Sequence, residues 1–99
     1  MRVIKERTVE DYFIQRFTLS CAIGEQRKYK SRMHDPDRII LLPKGRVIFL
    51  ELKRPGATPR PGQIREHNRL RSLGFEVQVV DSKESVDSFI ATIANEGVQ

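Results

Sequence analysis

The chain is predicted to be an α/β protein: a mixed sheet between helices, in the order helix, two or three antiparallel strands, helix, strand, helix. Three observations predict it. Residues 39–42, IILL, and 47–50, VIFL, are apolar runs of strand length on either side of a Pro/Gly turn. The flanking segments repeat their apolar residues at helical spacing. A helical pattern also separates the second of these strands from FEVQVV, so those two strands are parallel neighbours joined by a right-handed crossover.

Residues 8 to about 20 make the first helix. Thr8 caps it, and Asp11 adds a carboxylate near its positive end. Val9, Phe13, Phe17 and Ile14 form the apolar stripe, and Glu10 borders it. Residues 26–30, QRKYK, form a short strand with a basic outer side. Strands follow at 37–42 and 47–53, with Pro43 and Gly45 making the turn. Both are apolar on both faces near the turn, which suits central positions in a covered sheet. A turn centred near Lys44 sets Asp37 opposite Glu51, within a slip of one residue. Residues 59–73 are helical, with Thr58 as N-cap, Pro59 first, and Pro61 and Gly62 loosening the first turn. Ile64, Leu70 and Leu73 supply its apolar positions, and Gly74 ends it. Residues 75–80 form the last strand. Asp81 or Ser82 caps a final helix through about Asn95, with Val86, Phe89, Ile90 and Ile93 on one face.

No repeat, linker or low-complexity tract divides the 99 residues, so one domain spanning 1–99 is expected. Lys and Arg number 18 against 13 Asp and Glu, a net charge of +5, which favours a polyanionic partner such as nucleic acid over a surface that is merely soluble. The lone Cys21 permits no internal disulfide and fits a small buried residue in a reducing cytoplasm. The N-terminus carries no signal-peptide pattern, and no apolar run is long enough to span a membrane. His34 and His67 are too far apart in sequence, with one cysteine, to suggest structural zinc. No organic cofactor is expected.

The hairpin nevertheless carries charge where burial is expected. Glu51 and Lys53, two apart, point to one side of their strand, and Asp37 arrives at the same height from the neighbouring strand. Two carboxylates this close repel, and burial worsens the repulsion. A divalent cation between them reverses that cost. Carboxylates with a backbone carbonyl, here that of Leu52, are ligands Mg²⁺ prefers. Such a metal activates water and neutralises charge on a phosphodiester, and Lys53 beside it supplies further donors. A surface salt bridge between Glu51 and Lys53 is the competing explanation. The apolar run before Glu51 and the proline before Asp37 argue against it.

The set Pro36-Asp37 with Glu51-Leu52-Lys53 resembles the PD-(D/E)xK nuclease superfamily. More narrowly, PDRIILLPKGRVIFLELKRPG followed by PGQIREHNRLRSLGFEVQVVDSKE resembles the virus-type replication-repair nuclease domain, VRR-NUC, over essentially the whole chain. The resemblance implies a restriction-endonuclease-like αβββαβ core with a C-terminal helix, and a metal-dependent DNA endonuclease using Mg²⁺ or Mn²⁺. It implies Asp37 and Glu51 as metal ligands with the Leu52 carbonyl, and Lys53 as the catalytic lysine. It also implies a glutamate on the first helix, with Glu10 the better match and Glu6 the fallback, bound directly or through water, and Gln63 beside the site. Stand-alone members of this kind, found in phages, are similar to Holliday junction resolvases in being homodimers that cut branched DNA during repair. Where the family has glycine and a small apolar residue before Pro-Asp, this chain has His34 and Asp35, and both are expected to face solvent.

Lys28, Lys30, Arg54, Arg60 and Arg65 surround the site in sequence and are expected to contact DNA phosphates, Lys28 first among them. Arg69 and Arg71 are expected on the outer face of the second helix. Tyr29 suits either a stacked base or the core. A two-fold dimer would supply paired cuts in a junction, with the first helix and residues 86–93 as candidate interfaces. A noncatalytic DNA-binding module and a nuclease on RNA or linear DNA are the competing functions.

Overall fold

The computed structural model describes residues 5–20, 24–30 and 32–97; Cys21 lies outside them. Helix α1 (Glu6–Ser20) is followed by strands β1 (Glu25–Lys28), β2 (Arg38–Leu42) and β3 (Arg46–Leu52), helix α2 (Pro61–Ser72), strand β4 (Glu76–Val80) and helix α3 (Lys83–Gly97). The sheet order is β1-β2-β3-β4. The first two pairings are antiparallel, and β3 runs parallel to β4 through the α2 crossover. This is the mixed α/β sandwich expected.

The two faces of β3 hold two cores. Ile48, Leu50 and Leu52 point to one side and pack with Val9, Phe13 and Phe17 of α1 and Val86, Ile90 and Ile93 of α3. Phe49 points to the other side, where it meets Leu70 of α2 and Val77 of β4. Strand alternation in the sequence therefore sorts residues between the α1/α3 layer and the α2 layer. The apolar faces of α1 and α3, considered above as dimer interfaces, are spent inside this single chain.

Several boundaries differ from expectation. Helix α1 begins two residues before Thr8, and Thr8 donates its N–H to Lys5 O at 3.0 Å within the first turn. Helix α2 begins at Pro61 with Arg60 at the N-cap, not at Pro59 with Thr58. Gln63 reaches back to accept the Arg60 N–H at 2.9 Å, doing the capping from inside the helix. Its buried stripe is Gln63, His67 and Leu70, while Ile64 and Leu73 are exposed. Ser82 caps α3: its Oγ accepts the Ser85 N–H at 3.0 Å. The β2–β3 turn places Lys44 at φ 65° and Gly45 at φ 75°, so a lysine occupies left-handed backbone.

Candidate active site

The site forms at the open end of the β2–β3 hairpin. Arg38 pairs with Leu50, so Asp37 stands one step beyond, beside Glu51. Asp37, Glu51 and Lys53 share the α2 face with Ile39 and Phe49. Strand β2 begins at Arg38, which leaves the Leu52 N–H beyond the β2–β3 ladder; Asp37 Oδ2 accepts it at 2.9 Å. The N–H and C=O of a strand residue point the same way, so the Leu52 carbonyl points toward Asp37 too.

Helix α2 covers this group. Gln63 and His67, one turn apart, project from one face of the helix and are both buried. The Gln63 amide donates to Glu51 Oε2 at 3.2 Å. Its oxygen accepts from Lys53 Nζ at 2.9 Å, and that ammonium lies 3.6 Å from Glu51 Oε2. On the far side of the carboxyl group, His67 Nε2 stands 3.5 Å from Glu51 Oε1.

A pocket of about 220 Å³ opens beside Lys53, lined by Glu6, Lys30, Met33, His34, Arg60 and Gln63. The His34 imidazole rests against Gly62; a Cβ there would lie 2.6 Å from Nδ1. A larger groove of about 360 Å³ between β4 and α3 contains Gln78, Ser88 and Thr92 with the Arg46 and Glu76 ion pair at 2.7 Å. Arg46 and Glu76 neutralise one another, and the groove brings no pair of carboxylates together.

No family model matches the chain. A solved structure described as a VRR-NUC domain superposes with a TM-score of 0.75 at 38% identity, over 89% of this chain and 96% of that one. "Putative nuclease p44" of Acyrthosiphon pisum secondary endosymbiont phage 1 is 39% identical over 84 residues, which is 85% of this chain and 90% of the relative. The chain belongs to the VRR-NUC family.

Within this VRR-NUC fold the residues singled out from sequence divide into two groups. Asp37, Glu51, Leu52, Lys53 and Gln63 converge at the hairpin end, and Lys30 and Arg60 line the adjoining pocket. Glu10 does not join them. Its carboxylate meets the buried Arg38 guanidinium at 3.5 Å, and Arg38 belongs to the opposite face of the sheet from Asp37. Glu6, one helical turn earlier, is the α1 acid that lines the pocket. Lys28 is also misplaced: directly paired residues share a face, and Lys28 pairs with Arg38. Arg54 and Arg65 are exposed but do not line the pocket.

Asp35 does not face solvent. It is 2% exposed, and its Oδ2 accepts the Arg32 N–H at 2.8 Å. Residues 32–36 form a turn and not a strand, so strand alternation does not govern them. His34 is half-buried at the pocket. Tyr29 is 37% exposed with its ring edge against Phe49. His67 enters the sequence reading only in setting aside structural zinc and is given no place at the site. The Gln63, His67, Leu70 spacing of four then three was the available signal.

The electrostatics follow from burial. Glu51 is 1% exposed. Burial pushes its carboxyl up to about 8, helped by a hydrogen bond to and repulsion from Asp37, while Lys53 and Lys30 pull the other way. Glu51 therefore keeps its proton near neutral pH in the absence of a cation. Burial holds His67 below its ordinary range, with Arg71 and Lys53 adding to the effect, so its imidazole is neutral near pH 7. Glu51 Oε1 is buried without a hydrogen-bond partner. Among the described residues no group of three or more His, Cys, Asp or Glu side chains is placed to hold a metal. The donor set is two carboxylates and a backbone carbonyl, which fits a hard divalent cation that retains several waters.

Proposed function

We propose that this VRR-NUC chain is a divalent-metal-dependent DNA endonuclease, selective for branched DNA such as four-way junctions and active as a homodimer in the cytoplasm. The observation that carries the reading is the pairing of the buried Glu51 with the half-buried Asp37, with Lys53 held beside them at the edge of a cationic pocket. The relative named a nuclease supports it. A module that only bound phosphates would gain nothing from paired acids at that place.

Asp37 and Glu51, with the Leu52 carbonyl, would hold Mg²⁺ or Mn²⁺. When bound, the ion supplies a Lewis acid that activates water and offsets charge on the scissile phosphate. Gln63 ties Lys53 Nζ in place. That ammonium orients a water or a phosphate oxygen in the pocket and stabilises negative charge developing there. Lys30, Arg60 and His34 line the same pocket and bind neighbouring phosphates without reading sequence. The +5 net charge of the chain supports a DNA partner. Two copies related by a two-fold axis would supply the paired cuts a junction needs.

The test is cleavage of a synthetic four-way junction by wild type and Glu51→Ala, each with Mg²⁺, Mn²⁺ or EDTA. Flap, duplex, single-stranded and RNA substrates run in parallel. Paired metal-dependent nicks in the junction, absent in the variant, are the expected result. A Glu51→Ala protein that cuts at the wild-type rate would sink the mechanism, and preference for another substrate would replace junction selectivity.

A further inference from the structure

One buried group has no task in that scheme. His67 is 2% exposed, directly over Glu51, and its Nε2 has no hydrogen-bond partner. The atom it faces, Glu51 Oε1, has none either. Leaving two such atoms unsatisfied in a core costs stability unless they are partners for one another. The geometry is selective. Helix α2 presents Gln63 to Glu51 Oε2 at 3.2 Å and His67 to Glu51 Oε1 at 3.5 Å, so one helix face brackets both oxygens of one carboxyl group.

We infer that His67 is a positioning residue for Glu51: its imidazole donates Nε2–H to Oε1 and, with Gln63 on Oε2, sets the rotation of the carboxyl group that a divalent cation meets. The inference deepens the nuclease reading and rests on it. The 3.5 Å separation exceeds a good N–H···O distance by about half an ångström. The terminal carboxyl torsion is broad, so its rotation can shorten this separation. Lys53 cannot substitute, because its ammonium is on the Oε2 side and is engaged by Gln63. Partners of this kind orient metal ligands and raise affinity without touching the ion.

The experiment uses the full chain as wild type, His67→Leu and His67→Gln. Thermal melts in EDTA establish that each variant is folded, and His67→Leu is expected to melt below His67→Gln because it leaves the buried Glu51 Oε1 without a donor. Mn²⁺ binding is then measured by isothermal titration, and junction cleavage is followed against Mg²⁺ concentration. His67→Leu should bind Mn²⁺ about 10–100-fold more weakly and need correspondingly more Mg²⁺, with His67→Gln recovering most of the loss. A His67→Leu protein that binds Mn²⁺ like wild type, or a Gln variant no better than Leu, overturns the inference and leaves the nuclease reading standing. Wild type that neither binds Mn²⁺ nor cuts any substrate overturns the nuclease reading, and the inference falls with it.

Discussion

The Asp37 carboxylate accepts the Leu52 backbone N–H at 2.9 Å, standing in for the residue that would continue strand β2. One side chain therefore completes the sheet and faces the Glu51 carboxyl. These duties separate on substitution. Asp37→Asn keeps an oxygen for the Leu52 N–H and loses the charge; Asp37→Ala loses both. Both variants should fail to cut. Only Asp37→Ala should also lose stability, by about 1–2 kcal/mol for the lost bond. Urea melts in EDTA beside a junction-cleavage assay check this, and a cleaving Asp37→Asn protein would contradict it.

Glu51 yields a pH prediction with a definite sign. Its carboxyl is raised from an ordinary 4.5 to about 8 by burial and by Asp37. Between those values the folded chain keeps a proton that the unfolded chain has released. Metal-free stability from this group is therefore complete at low pH and is lost as pH rises through about 8. Calorimetric melts in EDTA should show wild type losing stability relative to Glu51→Gln across that window. Mn²⁺ competes with the Glu51 proton, so its affinity should rise over the same range. Parallel pH curves for the two proteins would refute the assignment.

Lys53 should matter more for rate than for metal. Its ammonium is held by Gln63 at 2.9 Å and sits at the pocket wall. Lys53→Ala is expected to lower the single-turnover cleavage rate by about 100-fold or more, within the range for losing one charge-stabilising donor, while Mn²⁺ titrations change little. Equal losses in both measurements would make Lys53 part of the metal site.

Gly62 and His34 should be coupled. Gly62→Ala brings a Cβ to 2.6 Å from the imidazole Nδ1, so the ring or the first turn of α2 must move. Alone, the substitution should destabilise and slow cutting. In a His34→Ala background the clash is gone and the helix gains about 0.5–1 kcal/mol from replacing glycine. A double-mutant cycle with no coupling energy would show that the contact is unimportant.

Glu10 and Glu6 exchange the importance expected of them. Glu10 pairs with Arg38, which is 5% exposed and otherwise bonded to Gln26 at 2.6 Å. Glu10→Ala should therefore destabilise the chain by about 1–2 kcal/mol, with Glu10→Gln cutting at close to the wild-type rate. Glu6→Gln, at the pocket, should reduce cutting without loss of stability. A melting and cleavage comparison of these variants decides which α1 acid serves the site.

Local pattern carried most of the architecture. Apolar runs on both sides of Pro43–Gly45 specified a hairpin, because a turn of that length sets the register and puts Asp37 beside Glu51. The two-residue spacing of Glu51 and Lys53 put them on one face for the same reason. Such facts depend only on neighbours in the chain, and the resemblance to the VRR-NUC family added roles to the same residues.

Tertiary structure alone decided what lies across the gaps. Periodicity marked α1 as amphipathic, but only packing showed that Glu10 meets Arg38 on the far side of the sheet while Glu6 reaches the pocket. Lys28 followed Arg38 to that far face because pairing, and not sequence distance, assigns it. Asp35 was buried by a turn that bonds its carboxylate to its own backbone. On α2, a polar pair took the stripe that Ile64 and Leu73 were expected to fill. Burying polar groups is worthwhile only where partners wait for them, and the partner, Glu51, stands 12 and 16 positions earlier in the chain than Gln63 and His67.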